Sequence, residues 1–214
     1  MKFSAVASIL VSLILAAGCS SSTQSPKKTA KAPATEPAVT PQPKGPQTFK
    51  VRFVTSKGPL VMEVHNDWAP RGAAHFADLV KAKFYDGARF FRVVPNFVIQ
   101  FGLAANPAVT RQWEKPIYDD PVMQTNRLGS VAFATEGFDT RTTQIFINLR
   151  SNQILDGKGF SPFAQVIEGM DVVNRLYSGY REAPDQQQIT KRGNAYLNEK
   201  FPKLDYIKTA RIVP

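Results

Sequence analysis

The segment Phe90–Gln100 constrains the fold of this chain more than any other stretch of its sequence. It reads FFRVVPNFVIQ, an aromatic and β-branched run typical of a buried strand, yet it contains an arginine, Arg92. A guanidinium is always charged and carries five hydrogen-bond donors. Burying it costs free energy unless a partner or a ligand accepts those donors. The segment therefore predicts either a dry, aromatic-walled site around Arg92 or an arginine whose stem lies on the strand while its head reaches water.

A second strand pattern, TQIFINL over residues 143–149, has two different faces. One face is apolar and suits a sheet core: Ile145, Ile147 and Leu149. The other alternates amides with a ring: Gln144, Phe146 and Asn148. Such a face suits a recognition surface, in which the ring makes a floor and the amides bind a backbone. The alternative is an edge strand with a half-exposed phenylalanine.

Short apolar or alternating runs, bounded by turn residues, recur from residue 49 onward. They predict further strands over 49–55, 60–65, 129–134, 164–167 and 207–213. Helical spacing of apolar residues predicts helices over 73–81 and 169–177, whereas residues 102–121 have little periodicity. Many short strands with two helices predict a mainly β domain, a closed or nearly closed antiparallel barrel with helices at its ends.

Residues 1–18 resemble a bacterial lipoprotein signal peptide. A lysine near the start precedes an apolar run over 5–17 that is too short to span a bilayer, and small residues lead into Cys19. Because Cys19 is the only cysteine in the sequence, its lipidation would leave no thiol for a disulfide, a metal or covalent catalysis. The alternative is an ordinary secretory signal with an incidental cysteine.

Residues 19–47 contain mainly Ser, Thr, Pro, Ala and Lys, which predicts a disordered tether between a lipidated Cys19 and a folded domain over 48–214. Ser20, directly after the cysteine, is typical of lipoproteins sorted to an outer membrane. We therefore expect a protein of the cell envelope that a lipid anchors in the membrane, at the outer membrane and facing the periplasm. The sequence contains no apolar run of 20 residues, so it predicts no ordinary transmembrane helix.

The formal net charge of +10 is spread along the chain. Nucleic-acid binding is the usual interpretation of a basic protein. In an exported lipoprotein, an anionic envelope surface or solubility explains the charge better. We therefore expect no nucleic-acid partner.

The motifs of the common enzyme classes are missing from this sequence. The two histidines, His65 and His75, lie on different predicted elements with no cysteine near them, so we expect no metal. No nucleophile elbow, phosphate-binding loop or dinucleotide fingerprint occurs, and no pair of acidic residues stands out. We therefore expect chemistry without a metal, a cofactor or a covalent intermediate.

Rotation about a prolyl peptide bond fits this inventory. Its barrier of about 18–20 kcal/mol comes from amide resonance, so lowering it requires no nucleophile. It requires an apolar pocket for the proline ring, hydrogen bonds to the flanking backbone and a donor aimed at the prolyl nitrogen, whose lone pair localises as the bond twists. Arg92, two glutamines and several phenylalanines could supply these parts.

The same residues carry a resemblance to the cyclophilin family of peptidyl-prolyl cis-trans isomerases, in a bacterial form. The family's arginine motif is matched by Phe90–Gln100, its Gln-Phe-Phe-Ile strand by Gln144–Ile147 and its Leu-Asp-Gly-Lys loop by Leu155–Lys158. The resemblance covers about residues 49–214. Two departures are Phe101, where the family usually has glycine, and the lack of a clear counterpart to its pocket histidine, for which Phe160 is the best substitute.

The resemblance implies catalytic positions for Arg92 and Gln100. It implies peptide-binding positions for Phe97, Val98, Ala134, Gln144, Phe146, Leu155 and Phe160. It also implies a closed, antiparallel eight-stranded β-barrel with two capping α-helices, no cofactor, and proline-containing polypeptides as partners of a monomer. We expect an isomerase that accelerates folding of extracytoplasmic proteins. The alternatives are a non-catalytic module that binds proline peptides or acts as a chaperone, and an envelope scaffold.

Overall fold

The structure, a computed structural model, describes residues 47–214. The predicted signal peptide, the lipidation site Cys19 and all of the predicted tether except Gln47 lie outside the described residues. Within residues 47–214, no helix combines the length and the apolar character needed to cross a membrane.

The described residues form one antiparallel sheet of eight strands, so the fold is mainly β, as predicted. The strands are β1 (Thr48–Thr55), β2 (Gly58–His65), β3 (Arg92–Val94), β4 (Val98–Phe101), β5 (Ser130–Phe133), β6 (Ile145–Asn148), β7 (Pro162–Glu168) and β8 (Ile207–Val213). Their order across the sheet is β3-β4-β6-β5-β7-β2-β1-β8, which makes β3 and β8 the two edges.

The prediction of a closed barrel is wrong, because the sheet curls but stays open between β3 and β8. β3 has only three residues, and the N–H of its Val93 donates to the carbonyl of Arg181 at 3.2 Å. The residues before β3 reach the β8 side through an isolated bridge between Arg89 and Tyr206 and through single hydrogen bonds, such as that from the N–H of Ile207 to the carbonyl of Ala88 at 2.9 Å, rather than through a strand ladder. A short edge strand whose outward N–H is already bonded to a loop cannot form a ladder with β8.

Five α-helices accompany the sheet, whereas the sequence predicts two. They are α1 (Pro70–Lys81), α2 (Pro107–Gln112), α3 (Met170–Asn174), α4 (Gln186–Arg192) and α5 (Asn194–Lys200), and a 3₁₀ helix spans Gln153–Lys158. The predicted helices correspond to α1 and α3. The other three have six or seven residues each and lie in segments for which the sequence predicts no helix.

The main core lies between α1 and one face of the sheet. The ring of Phe76 in α1 packs against Phe53 of β1, with centroids 6.3 Å apart, and against Phe163 of β7 at 5.0 Å. Full burial of one such side chain stabilises the fold by about 1.5–3 kcal/mol. Alternate residues of β4, β5 and β6 point away from this core, so they are available to build a second surface.

The N-terminus of α1 is capped by a residue from a distant loop. The N-cap residue Ala69 makes no side-chain cap. Asp120 instead accepts hydrogen bonds from the backbone N–H of Arg71 at 3.0 Å and of Gly72 at 2.8 Å. The same carboxylate pairs with the buried guanidinium of Arg141 at 3.0 Å. One carboxylate therefore joins α1 to the loop that leads into β6.

Candidate active site

A single groove brings together the residues that the sequence predicts for a peptide site. The groove has a volume of about 560 Å³ and lies on the side of β4 and β6 that faces away from the main core. Every predicted residue lines it: Arg92, Phe97, Val98, Gln100, Ala134, Gln144, Phe146, Leu155 and Phe160. They come from three strands, three loops and the 3₁₀ helix, so the fold rather than local sequence brings them together.

The floor of the groove is apolar. It is a small cluster of buried side chains: Val98, Ala132, Phe146 and Leu155. Partly buried side chains surround this floor: Phe97, Ala134 and Phe160. The ring of Phe160 stands edge-on to that of Phe146, with centroids 5.5 Å apart. Such a floor suits a compact apolar ring, because burial of apolar surface is favourable at about 25 cal/mol per Å².

The turn between β3 and β4 places the ring of Phe97 at the groove. Phe97 N–H donates to the carbonyl of Val94 at 3.1 Å, which closes a four-residue turn. Pro95 takes the second position, and Asn96 takes the third with φ of 59°. Proline followed by an asparagine at positive φ is typical of a type II turn. The Val94–Phe97 sequence thus fixes one wall of the groove.

Arg92 lies at the groove wall with its guanidinium held from three directions. Its Nε donates to Glu182 Oε1 at 2.7 Å, and Nη2 contacts the same oxygen at 2.5 Å. Its Nη1 donates to Gln100 Oε1 at 3.3 Å. The guanidinium carbon lies 5.7 Å from the centre of the Phe97 ring. Arg92 is thus half-buried beside the apolar floor rather than extended into water.

The two glutamines of the groove continue this hydrogen-bonded row. Arg92 is directly opposite Gln100 in the register of β3 and β4, and Gln100 is opposite Phe146 in the register of β4 and β6. Gln100 Nε2 donates to Gln144 Oε1 at 2.8 Å. The row from Arg92 through Gln100 to Gln144 therefore crosses the groove with its orientation set at each step.

Asn148 does not belong to the recognition surface on which the sequence pattern places it. It is fully buried, and its Nδ2 donates to Ser130 Oγ at 3.0 Å and to Asn126 Oδ1 at 3.1 Å. Its Oδ1 accepts from Asn152 Nδ2 at 2.8 Å. Asn152 also donates to the carbonyl of Phe97, at 3.0 Å. Asn148 therefore stands behind the groove and supports its wall through Asn152, the residue directly before the 3₁₀ helix.

Sequence reasoning misses six further lining residues. They are polar and come from loops or from the first turn of a helix: Glu114, Thr135, Glu136, Thr140, Thr142 and Gln186. No periodic pattern marks such positions. For Gln186, a usable signal is Asp185, which caps α4 by accepting from the N–H of Gln188 at 3.0 Å.

The histidines lie outside the groove. The rings of His65 and Trp68 stack with centroids 3.8 Å apart. His75 Nε2 donates to the carbonyl of Thr142 at 2.7 Å. Burial lowers the pKa of His75, although this hydrogen bond and nearby Asp78 oppose the shift. Among the described residues, no group of three histidine, cysteine or acidic side chains could hold a metal ion.

The chain is similar in sequence to known proteins of one family. Residues 50–194 match the family model described as cyclophilin-type peptidyl-prolyl cis-trans isomerase. A peptidyl-prolyl cis-trans isomerase from Acinetobacter baylyi is 36% identical over 132 residues, which cover 59% of this chain and 70% of that protein. The human peptidyl-prolyl cis-trans isomerase-like 1 is 33% identical over 137 residues, covering 61% and 80%.

Solved structures show the same fold. A cyclophilin-type peptidyl-prolyl cis-trans isomerase from Cryptosporidium parvum aligns with a TM-score of 0.58 and 21% identity, covering 78% of this chain and 98% of that chain. A second structure of that protein, determined in the presence of the dipeptide Ala-Pro, aligns with a TM-score of 0.59.

Proposed function

The chain belongs to the cyclophilin-type peptidyl-prolyl cis-trans isomerase family and is therefore an isomerase of prolyl peptide bonds, and we propose that Arg92 is its central catalytic group. We also propose that its substrates are extracytoplasmic proteins. The observation that carries the catalytic proposal is the position of Arg92. A fixed guanidinium lies beside an apolar floor, in one hydrogen-bonded row with Gln100 and Gln144.

In the proposed mechanism, the floor binds the proline ring, and the polar row binds the flanking backbone and stabilises the twisted bond. The proline ring occupies the floor formed around Phe146 and Leu155. Gln100 and Gln144 bind the backbone on either side of the proline. As the bond twists, amide resonance is lost and the lone pair localises on the prolyl nitrogen. A donor from the Arg92 guanidinium stabilises that nitrogen more in the twisted state than in either planar state, which lowers the barrier.

Replacing Arg92 tests this role. We expect Arg92→Ala to lower kcat/KM for a proline peptide by about 100-fold, the size of effect that loss of one preorganised donor has in other enzymes. Arg92→Lys should recover only part of the activity, since lysine keeps the charge but not the planar fork. The measurement is protease-coupled isomerisation of a proline peptide, with Arg175→Ala as control, because Arg175 is an exposed arginine outside the groove.

Two outcomes would count against the proposal. Equal activity of the wild type and Arg92→Ala would exclude Arg92 as the catalytic group. Binding of proline peptides by the wild type without any acceleration of isomerisation would favour the non-catalytic binding module instead.

We also propose that a lipid on Cys19 anchors the protein in the cell envelope, with residues 1–18 as the signal peptide that directs this modification. The support is the signal-like sequence before Cys19 and the Ser/Pro/Lys-rich stretch that follows. Cys19→Ser should move the protein from the membrane fraction to the soluble fraction, whereas Ser22→Ala should not. Membrane association that persists in Cys19→Ser would contradict the anchor.

A further inference from the structure

Glu182 is the carboxylate partner of Arg92, and the sequence motifs give no sign of it. One oxygen, Oε1, accepts from Nε at 2.7 Å and contacts Nη2 at 2.5 Å. Arg92 therefore has two of its three guanidinium nitrogens on Glu182 and its third, Nη1, on Gln100. Glu182 itself is 60% exposed, whereas Arg92 is 24% exposed.

A separate part of the fold places Glu182 beside Arg92. The C-terminal helical segment, residues 177–204, contains α4 and α5, and it forms a small core with Phe91 and Leu103 through four of its own residues: Ile189, Tyr196, Leu197 and Leu204. Tyr180 packs against this core, with its ring 5.1 Å from that of Phe201. Phe91 of this core is adjacent in sequence to Arg92, so the C-terminal helical segment is attached next to the groove.

The backbone beside Glu182 is fixed as well. Arg181 has φ of 48°, a left-handed conformation that residues other than glycine adopt only where their surroundings require it. Its carbonyl accepts from the N–H of Val93 at 3.2 Å, and its own N–H donates to the carbonyl of Ser178 at 3.1 Å. The loop is thus bonded to the strand that carries Arg92, which places the backbone of Glu182 beside that strand.

We propose that Glu182 is a positioning residue for the isomerase: it holds the Arg92 guanidinium so that Nη1 points along the groove toward the substrate. This proposal rests on the catalytic role proposed for Arg92. A free arginine side chain has many rotamers, and the rate of a reaction falls steeply when a catalytic group leaves its productive geometry. A charge-assisted hydrogen bond that the guanidinium donates to a carboxylate restricts those rotamers.

The matched variants are Glu182→Ala, Glu182→Gln and Glu199→Ala. Glutamine keeps an oxygen that can accept from Nε, so it tests the acceptor apart from the charge. Glu199 pairs with Arg192 at 2.7 Å within the same C-terminal helical segment and is also half-exposed. Its removal breaks a comparable ion pair without touching Arg92.

We expect Glu182→Ala to lower kcat for a proline peptide by about tenfold with little change in KM, because positioning acts on the transition state. Glu182→Gln should stay within about threefold of the wild type, and Glu199→Ala should match the wild type. The independent readout is the NMR signal of the Arg92 Nε–H. We expect the Nε–H proton of Arg92 to exchange with solvent at least about tenfold faster in Glu182→Ala than in the wild type.

The two readouts separate the two proposals. A wild type that does not accelerate isomerisation would overturn the proposed function, while Nε–H exchange would still report whether Glu182 holds Arg92. Unchanged kcat and unchanged Nε–H exchange in Glu182→Ala would overturn the positioning role, as would an equal loss in Glu199→Ala. Circular dichroism and thermal unfolding of each variant identify any loss that comes from unfolding.

Discussion

Gln100 shows how a single side chain orients its neighbours in this groove. Its amide oxygen accepts from Arg92 and its amide nitrogen donates to Gln144, so both ends of the amide are used. A carboxylate could not donate to Gln144, and an apolar side chain could do neither. The sequence motif predicts that this glutamine belongs to the site. The two bonds depend on the register of β3, β4 and β6, which only the folded sheet reveals.

His75 gives a prediction about pH. Burial lowers its pKa below the ordinary value of 6.5, so the folded state binds this proton less readily than the unfolded state does. Its contribution to stability is complete above pH 6.5 and is lost as the pH falls toward the lowered pKa. We expect the free energy of unfolding in urea to decrease over this range more steeply in the wild type than in His75→Gln.

Glutamine is a suitable replacement because its amide can also donate to the carbonyl of Thr142, but it does not titrate. Other groups titrate equally in both proteins, so the difference between the two curves isolates His75. Parallel curves between pH 7.5 and 5 would show that this histidine does not contribute.

At the scale of elements, strands with clear alternation could be predicted, whereas the helices α2, α4 and α5 could not. The hairpin of β1 and β2 follows from alternating apolar residues around a Lys-Gly-Pro turn. By contrast, α2 is marked only by Asn106, whose side chain accepts from the N–H of Ala108, and by the proline after it. A helix of about two turns has no apolar stripe, and its stability comes from packing against residues that are distant in sequence.

Asp120 gives a prediction at the same scale, because it caps α1 and pairs with Arg141. We expect Asp120→Ala to lower the free energy of unfolding by about 2–3 kcal/mol, since it removes the cap of α1 and one of the two carboxylates that pair with the buried Arg141, the other being Asp119 at 3.0 Å. Asp78→Ala is the matched control, because Asp78 forms an exposed pair with Lys81 in the same helix and should cost less than about 1 kcal/mol. Chemical unfolding measures both. Similar losses in the two variants would contradict the capping role.

At the scale of the whole molecule, the open sheet separates what sequence can and cannot predict. Strand number and antiparallel pairing follow from local patterns and from the family resemblance. Whether the edges close depends on single backbone groups, such as the N–H of Val93 and its acceptor Arg181, which are 88 residues apart by their numbers. Most of the groove could be predicted from three motifs, while Glu182 could not, since it belongs to none of them.

The open edge gives a prediction for hydrogen exchange. Val93 lies on an edge strand, yet its N–H is bonded to the C-terminal helical segment. We expect this amide to exchange at the rate at which that segment opens, faster than amides of the central strands β5 and β7. Exchange measured by NMR should therefore group Val93 with amides of α4 and α5. Exchange of Val93 at the rate of an unstructured peptide would contradict this bond.

The hydrogen-bonded row from Glu182 to Gln144 has a consequence for the temperature dependence of catalysis. Its side chains have already lost their rotational freedom before a substrate arrives, so that entropy is given up once, when the enzyme folds, and not at every turnover. The activation entropy of the catalysed reaction should then be close to that of the uncatalysed rotation. The acceleration would appear almost entirely as a lower activation enthalpy.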